Sequence, residues 1–504
     1  MNVLIVLGHP RKGSFSEALA NAYKIGALSA GMDVKQINVA EMQFNPNVFA
    51  VSPRNQYFEE DVMLAQELIT WADHLVFVYP TWWGTMPALL KAFLDRVLTP
   101  GFAFEDIHGS DNWVKLLKGK SAQLITTMDT PLWVFRWIHK SPGHNAMAKS
   151  TLQYCGISPV KTLSFSPVNE STEKTRERWL IKTKEKGFQL KNGFLSKKEK
   201  RYDRVLTWLK AIRLQFYPMT WIAYAAGAYG ASSLGYSFNL NIFWLGYLWL
   251  FLLEVATVLS NEYHDYSTDN ENKYFGPFTG GSRVIVDKEL TFNEIKKGAI
   301  FALALSFIVA VFLLWIIPGS VPTAFLMIVL FIIALGYTIP PLKFSYRGLG
   351  ELDVGFTHSF GVILCGFVFQ GGSLTESFPW LLSIPLFIAL IPAIILAGIP
   401  DYDADKAAHK KTIAVNFGKK NAARLSIILT IASTILVVLW HVFNVVPGAF
   451  GNAVYFIILH ATILIILLSK YIRHPSPPAH INLLLFTSLT YIIWFGIIPL
   501  LKLS

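Results

Sequence analysis

Ile242-Phe-Trp-Leu-Gly-Tyr-Leu-Trp-Leu-Phe-Leu-Leu-Glu254-Val-Ala-Thr-Val-Leu-Ser-Asn261-Glu-Tyr-His-Asp265-Tyr-Ser-Thr-Asp269 sets the class of this protein. Up to Ser260 it is an apolar run of the length that crosses a bilayer, about 20 residues. It then runs directly into Asn261, Asp265 and Asp269, spaced i, i+4, i+8, which a helix would place on one face. Similar apolar runs lie at 214–235, 298–317, 322–339, 354–371, 379–399, 425–445, 453–469 and 482–501. With 242–260 they predict an all-α polytopic membrane domain of about nine transmembrane helices. Composition agrees: 53% of the 504 residues are hydrophobic and 15% charged, against about 25% charged in ordinary soluble proteins. A wholly soluble chain and a disordered chain are both excluded.

Lys and Arg fix the expected orientation. The stretches 261–297, 340–353, 400–424 and 470–481 hold 5, 2, 6 and 2 of them, and 236–241, 318–321, 372–378 and 446–452 hold none. The positive-inside rule places the first set, and all that precedes 214, in the cytoplasm. The protein is thus expected to be integral to the inner, cytoplasmic membrane with its N-terminal half inside the cell. The same bias accounts for the net charge of +11 without nucleic acid as a partner. From about Lys191 to Arg213 the chain is basic, with Lys197, Lys198, Lys200, Arg201, Arg204, Lys210 and Arg213 against Glu199 and Asp203. A juxtamembrane anchor to anionic lipid is expected there.

A second acidic cluster, Pro400-Asp401-Tyr-Asp403-Ala-Asp405, follows the span at 379–399, with Asp401 and Asp405 again i, i+4. Both clusters therefore fall at cytoplasmic span ends. Converging carboxylates repel unless a cation joins them. Mg²⁺ prefers such oxygens and leaves coordination sites for waters or substrate phosphates. Arg283, Lys343, Arg347, Lys410 and Lys411 stand in the same loops, as expected if a phosphate sits among them.

These motifs, over about 295 residues from Trp208 onward, resemble the UbiA superfamily of intramembrane prenyltransferases. Glu262 departs from the usual aspartate, while Asn261, Asp265 and Asp269 are intact. Tyr346-Arg-Gly-Leu-Gly-Glu351 resembles the 1,4-dihydroxy-2-naphthoate polyprenyltransferases of menaquinone synthesis. The resemblance implies that Asn261, Asp265, Asp269, Asp401 and Asp405 hold Mg²⁺ on a prenyl diphosphate. It further implies that Arg283, Lys343, Arg347 and Lys411 stabilise the departing diphosphate, with Asp265, Asp269, Asp401, Asp405, Lys343 and Arg347 as the catalytic set. An electron-rich aromatic ring would attack the allylic cation in a dry, aromatic-lined pocket, near which Tyr263, Tyr337 and Tyr402 stand.

Residues 1–190 read differently. Met1–Leu7, His74–Tyr79, Ala122–Thr126 and the weaker Val160–Phe165 are short apolar runs separated by helical patterns such as 16–27 and 87–97. The first run is too short for a signal h-region, and no basic segment precedes it, so it reads as a buried strand. The alternation predicts an α/β doubly wound parallel sheet that binds ligands at the carboxyl ends of its strands. At those ends stand Gly8-His-Pro-Arg-Lys-Gly-Ser-Phe-Ser16, a turn opening a helix, and Tyr79-Pro-Thr-Trp-Trp-Gly-Thr-Met-Pro-Ala88. The first suits a phosphate and the second a flat aromatic cofactor. Together with Gly101-Phe-Ala-Phe104 they resemble flavodoxin-like NAD(P)H:quinone oxidoreductases. That resemblance implies FAD, or alternatively FMN, with NAD(P)H as the hydride source. His9, Ser14, Phe15 and Ser16 would contact the flavin phosphates, and Pro80, Thr81, Trp82, Trp83, Gly84, Thr126 and Thr127 the isoalloxazine. Ser16 replaces a common asparagine, and Met128-Asp129 replace the glycines that often follow the paired threonines. His139 and His144 are the nearby candidates for proton relay.

The expected organisation is a flavodoxin-like domain at 1–190, a basic linker at 191–213 and a prenyltransferase domain at 214–504. The two chemistries fit one enzyme: reduction of a quinone supplies the electron-rich quinol that a prenyl cation needs. The expected partners are a prenyl diphosphate, a quinone or quinol acceptor resembling a naphthoquinol or dihydroxynaphthoate, the lipid bilayer, and a second copy through the flavodoxin-like half. The alternatives are a prenyltransferase carrying a non-catalytic flavin-binding regulatory domain, and a transporter with a redox-sensing domain. Transport would call for ionisable groups near the bilayer midplane, where the spans hold few besides Glu254.

Overall fold

The computed structural model describes residues 1–48, 50–107, 112–317, 321–475 and 481–504. The expected connections at 318–321 and 470–481 fall partly outside them. The described chain separates into two compact units that part near residue 202.

In the first unit β1 (Asn2–Leu7), β2 (Asp33–Asn38), β3 (His74–Pro80), β6 (Ser121–Thr127) and β7 (Val160–Phe165) form a parallel sheet of order β2-β1-β3-β6-β7. β4 (Phe104–Asp106) and β5 (Trp113–Lys115) form a separate antiparallel ribbon. The central strands are continuous apolar runs because both faces are covered. Val3, Ile5 and Leu7 pack with Leu19, Ala20, Tyr23 and Ala27 of helix Phe15–Ser29. Leu4 and Val6 pack with Val62 and Ile69 of helix Glu60–Trp71 and with Leu90 and Phe93 of helix Ala88–Val97. β2 carries no apolar run to announce it: only Ile37 is buried, as befits an edge strand. The parallel doubly wound sheet expected from the sequence is present, and both candidate cofactor loops leave the carboxyl ends of β1 and β3.

Among the described residues of the second unit seven helices are long and apolar enough to cross a membrane: Leu240–His264, Phe292–Ile316, Gly350–Phe369, Ser377–Ala397, Lys419–Val442, Asn452–Arg473 and Asn482–Leu503. Among the described residues the two remaining expected spans are shorter helices, Tyr217–Ser233 of 17 residues and Val321–Gly336 of 16. A basic helix, Lys197–Ala211, precedes them. Part of its charge is met within the chain: Lys210 pairs with Glu289 at 2.9 Å, and Arg204 pairs with Glu294.

Lipid tails give no hydrophobic drive for helix association, so close backbone approach matters. Helices Tyr217–Ser233 and Gly350–Phe369 meet through small residues. A Cβ on Gly227 would lie 2.1 Å from the Ile363 carbonyl, and one on Gly366 2.1 Å from that of Tyr224. Neither backbone can yield without parting the helices. Gly366→Val should therefore destabilise the membrane half by about 1–3 kcal/mol, the usual cost of overpacking. A thermal melt of the full chain in detergent would show it as a lowered midpoint, and an unchanged midpoint would contradict this packing.

Candidate functional site

The first acidic motif does not lie on one straight helix. The long helix ends at His264, Asp265 caps it, and a short helix, Tyr266–Glu271, follows. The register survives the break: Asp265 N–H donates to the Asn261 carbonyl at 2.8 Å, and Asp269 N–H to that of Asp265 at 2.9 Å. The second motif repeats the device, with Asp405 N–H donating to the Asp401 carbonyl at 2.8 Å beside the short helix Tyr402–Ala407. Each long helix thus stops, and its acids continue around a corner.

The corners bring the two motifs together. Lys410 is buried, and its Nζ lies 2.9 Å from Asp265 Oδ2 and 3.7 Å from Asp405 Oδ1, one ammonium spanning both clusters. Tyr346 donates to Asp265 Oδ1 at 3.1 Å. Asp401 Oδ1 accepts from Asn272 at 2.7 Å and Thr279 at 2.6 Å. Glu262, buried in place of the usual aspartate, accepts from Ser282 N–H at 2.9 Å. Its carboxylate orders the Gly281–Ser282 turn, where a Cβ on Gly281 would lie 2.1 Å from Asp269 Oδ2.

Burial makes these acids reluctant to ionise. Asp269 is pushed up to about 8 by desolvation, then by the charges of Glu262, Asp265 and Asp401. Asp405 is pushed up to about 7, again chiefly by desolvation, with Lys410 pulling the other way. Asp401 is raised by burial against its two hydrogen bonds. Lys410 is held well above the usual lysine range: burial opposes this, and the carboxylates of Asp265 and Asp405 overcome it.

The predicted cations divide. Arg283 has a positive φ of 60°, stacks 3.9 Å from the Phe275 ring and donates to the Asp269 carbonyl oxygen at 2.7 Å. Lys343 lies 5.0 Å from the Tyr346 ring. Arg347 is exposed and donates to the Pro341 carbonyl. Lys411 is exposed, so its neighbour Lys410 is the lysine that stands among the carboxylates. The two lysines are adjacent in sequence, and nothing in the pattern tells which one turns inward.

The residues fit a hard divalent cation. Asn261 Oδ1 is buried with no hydrogen-bond partner, and every other candidate donor is a carboxylate oxygen. Among the described residues no three acidic, histidine or cysteine groups already form a metal cage. Lys410 stands where positive charge is needed. A cavity of about 480 Å³ is lined by Asn261, Glu262 and Tyr337 and by apolar side chains such as Leu253, Leu390 and Ile394.

In the sheet domain, Ser14 caps helix Phe15–Ser29 by accepting from Glu17 N–H, and Glu17 accepts from Gly13 N–H at 2.6 Å. Ser16 Oγ is buried without a partner, as is Thr81 Oγ1. Phe15 turns its ring to Trp179, leaving its backbone to the turn. Trp82 and Thr85 exchange backbone hydrogen bonds of 2.8 and 2.9 Å around Trp83 and Gly84, whose φ values are 51° and 77°. That tight turn leaves Trp83 fully exposed and Trp82 half-exposed, with His9 edge-on to Trp82 at 5.7 Å. Pro80 ends β3, and Thr81 N–H donates to the Thr127 carbonyl at 2.7 Å. Orphaned buried hydroxyls and open indoles fit a phosphate-bearing aromatic cofactor. Thr126, also expected at the cofactor, has its hydroxyl bonded to Ser164 at 2.8 Å and His144 at 3.1 Å. His144, lowered to about 4 by burial and then by Arg136, is neutral near pH 7, whereas His139 is exposed. Asp129, where a glycine is common, clips the 168–169 turn by accepting from the Val168 and Asn169 amides.

The raised carboxyls set a pH dependence. The unfolded chain releases these protons near pH 4, whereas the folded one holds them until about pH 7 at Asp405 and about 8 at Asp269. Unfolding thus releases protons in that window, so stability is present at low pH and is lost as pH rises through 7 to 8. Thermal midpoints in EDTA between pH 5 and 8.5 should fall with rising pH; a rise would contradict it. Lys410→Met leaves two buried carboxyl groups without their shared cation and should cost about 3–5 kcal/mol in EDTA. Added Mg²⁺ should recover part of the lost melting midpoint, and a variant as stable as the parent would exclude the bridging role.

Comparison with known proteins agrees with both halves. The family described as the UbiA prenyltransferase family matches residues 216–490, and the flavodoxin-like fold family matches residues 1–185. An NAD(P)H oxidoreductase of Haemophilus influenzae is 31% identical over 205 residues, 40% of this chain and 100% of that protein. The human ribosyldihydronicotinamide dehydrogenase [quinone] is 29% identical, over 34% of this chain and 85% of that protein. The lycopene elongase/hydratase of Corynebacterium glutamicum is 27% identical over 237 residues, 45% of this chain and 77% of that protein. This chain belongs to the UbiA prenyltransferase family and carries a flavodoxin-like NAD(P)H oxidoreductase domain at its N-terminus.

Proposed function

We propose that this protein is a bifunctional enzyme of quinone synthesis that transfers a prenyl group to a quinol and reduces the corresponding quinone with NAD(P)H. The observation that carries the reading is the meeting of two acidic motifs around Lys410, with Asn261 of the first motif lining a largely apolar cavity. Asn261, Asp265, Asp269, Asp401 and Asp405 would hold Mg²⁺, which supplies charge neutralisation of a departing diphosphate. Lys410, Lys343 and Arg283 would contribute further positive charge at that end, with Lys410 taking the place expected for Lys411. The bundle would keep water from the allylic cation. Tyr337, whose hydroxyl is held well above the usual range by burial, would stay neutral and offer its ring face.

In the sheet domain, Phe15 and Ser16 amides at the helix start, with the Ser14 and Ser16 hydroxyls and His9, would hold the flavin phosphate. Pro80, Thr81, Trp82, Trp83, Gly84 and Thr127 would frame the ring system. A bound flavin, FAD or FMN, supplies hydride transfer from NAD(P)H. His144 would stabilise that frame through Thr126. The positive-inside pattern supports a cytoplasmic location for this domain.

The relative named for lycopene favours a second reading in which the acceptor is a polyene. Purified full-length protein in detergent, with Mg²⁺ and a radiolabelled prenyl diphosphate, separates the two. Menadione, 1,4-dihydroxy-2-naphthoate and lycopene are compared with and without NAD(P)H. Menadione should be prenylated only with NAD(P)H, and dihydroxynaphthoate without it. Transfer to lycopene alone would support the polyene reading and remove the coupling between halves.

A further inference from the structure

Two ionisable side chains that the sequence places inside apolar spans, Glu254 and His358, meet in the structure. His358 Nε2 lies 3.9 Å from Glu254 Oε1. His358 Nδ1 lies 3.1 Å from the Val354 carbonyl oxygen. Nδ1 also lies 3.0 Å from Thr357 Oγ1; the Val354 carbonyl is satisfied when Nδ1 carries the hydrogen, and Nε2 is the nitrogen turned to Glu254. The two side chains form an ion pair when the imidazole is protonated, with that proton on Nε2 and Glu254 an open carboxylate. The other carboxylate oxygen, Glu254 Oε2, is buried with no partner.

Both residues line the cavity that also contains Asn261. Asp353 lines it too, is 7% exposed, and has an equally unpartnered buried Oδ1. Asp353, Val354, Thr357 and His358 line this wall from one helical face, where a π turn begins at Thr357–Gly361, a feature frequent at functional sites. Nearby stand the apolar Leu253, Leu330 and Val362, together with Thr257 and Thr357, whose hydroxyls donate to carbonyls of their own helices. Seven residues separate Glu254 from Asn261 along one helix, about 10 Å of rise. A ring can lie between the acidic motif and the pair. Unsatisfied acceptors in such a place await a donor, since burying them unpaired is costly.

We propose that Glu254, oriented by His358, receives the hydroxyl of the acceptor and takes its proton, making this subsite selective for hydroxylated aromatic rings. The inference rests on the prenyl-transfer reading above. In the step, the C–O bond of the allylic diphosphate breaks, with its electron pair leaving on the diphosphate. The ring carbon forms the new C–C bond to the allylic carbon as the hydroxyl proton passes to Glu254 Oε2. Loss of the ring C–H proton then restores aromaticity while the oxygen regains a proton, so one proton leaves in total. Glu254 is the catalytic residue here, and His358 a positioning residue.

The test uses the full chain in detergent with Mg²⁺, geranylgeranyl diphosphate, and menadiol kept reduced by dithionite, so that the N-terminal domain is not required. The dimethyl ether of menadiol serves as the acceptor without a donor. The parent should prefer menadiol. Glu254→Gln should lower kcat for menadiol by about 100-fold, leave binding of the prenyl diphosphate unchanged, and abolish the preference for menadiol over its ether. His358→Gln should reduce the same preference with less loss of kcat. Glu254→Gln with parental kcat and preference overturns the proposal. If Glu254→Gln fails to fold, His358→Gln decides it: an unchanged rate and preference overturn the proposal. A parent that transfers to lycopene and to no hydroxylated ring overturns the aromatic reading itself, a result the variants cannot mimic.

Discussion

Desolvated negative charge at the ends of two membrane helices is the constraint on which the rest of this site depends. Glu262, Asp265 and Asp405 are all buried, and Asp269 and Asp401 are pushed toward their protonated forms. Such groups persist only with partners. The connecting segment 272–283 supplies many of them: Asn272 and Thr279 to Asp401, and the Ser282 amide to Glu262. Its path is therefore dictated by the acids it serves. Lys410 supplies the charge that hydrogen bonds cannot. The helix breaks at Asp265 and Asp401 accompany this arrangement, each followed by a short helix that carries the next acid.

A cluster balanced in this way is poised for exchange. One ammonium offsets part of the charge of two carboxylates, which leaves room in the balance for harder cations carrying a doubly charged ligand. The buried, unpartnered Asn261 oxygen points to the same vacancy in the hydrogen-bond count. In the sheet domain the equivalent signs are the orphaned Ser16 and Thr81 hydroxyls and the fully exposed Trp83. An aromatic residue is held in left-handed backbone there, a conformation that is costly for a bulky side chain unless the surroundings impose it.

Much of this was legible in the sequence, for reasons that differ by element. β1 and β3 are covered on both faces and so read as unbroken apolar runs. β2 buries little and gives no such signal. The spans were legible by length, although Tyr217–Ser233 and Val321–Gly336 are shorter than their apolar runs implied. The acids were legible because i, i+4 spacing survives the helix breaks; the breaks themselves leave no mark in the pattern. Lys410 could not be told from Lys411, because their difference is one of direction and is set by the turn after Tyr402–Ala407. The bonds of the Thr126 hydroxyl to Ser164 and His144 leave no mark in the sequence. Side-chain direction at a strand end depends on the neighbouring strand, which local sequence does not specify.

Glu254 and His358 show the opposite limit. Each looks like an anomaly alone, a charge within an apolar run, and neither has a motif around it. Their meaning appears only when the fold places one against the other at 3.9 Å. The contrast with the aspartate motifs is physical. Acids that bind a cation must be several and regularly spaced, so they leave a pattern. A group that accepts one proton from one hydroxyl needs a single partner to set its charge, and that partner can come from any helix. The two kinds of acid also tolerate different surroundings. The motif acids sit at helix ends, where loop amides and hydroxyls reach them. Glu254 sits two turns deeper, where histidine is the side chain whose ordinary pKa lets it share a proton near neutral pH. Asn261 and Glu254 line the same cavity from one helix, so under the proposed reading diphosphate binding and proton acceptance would be ordered along that helix.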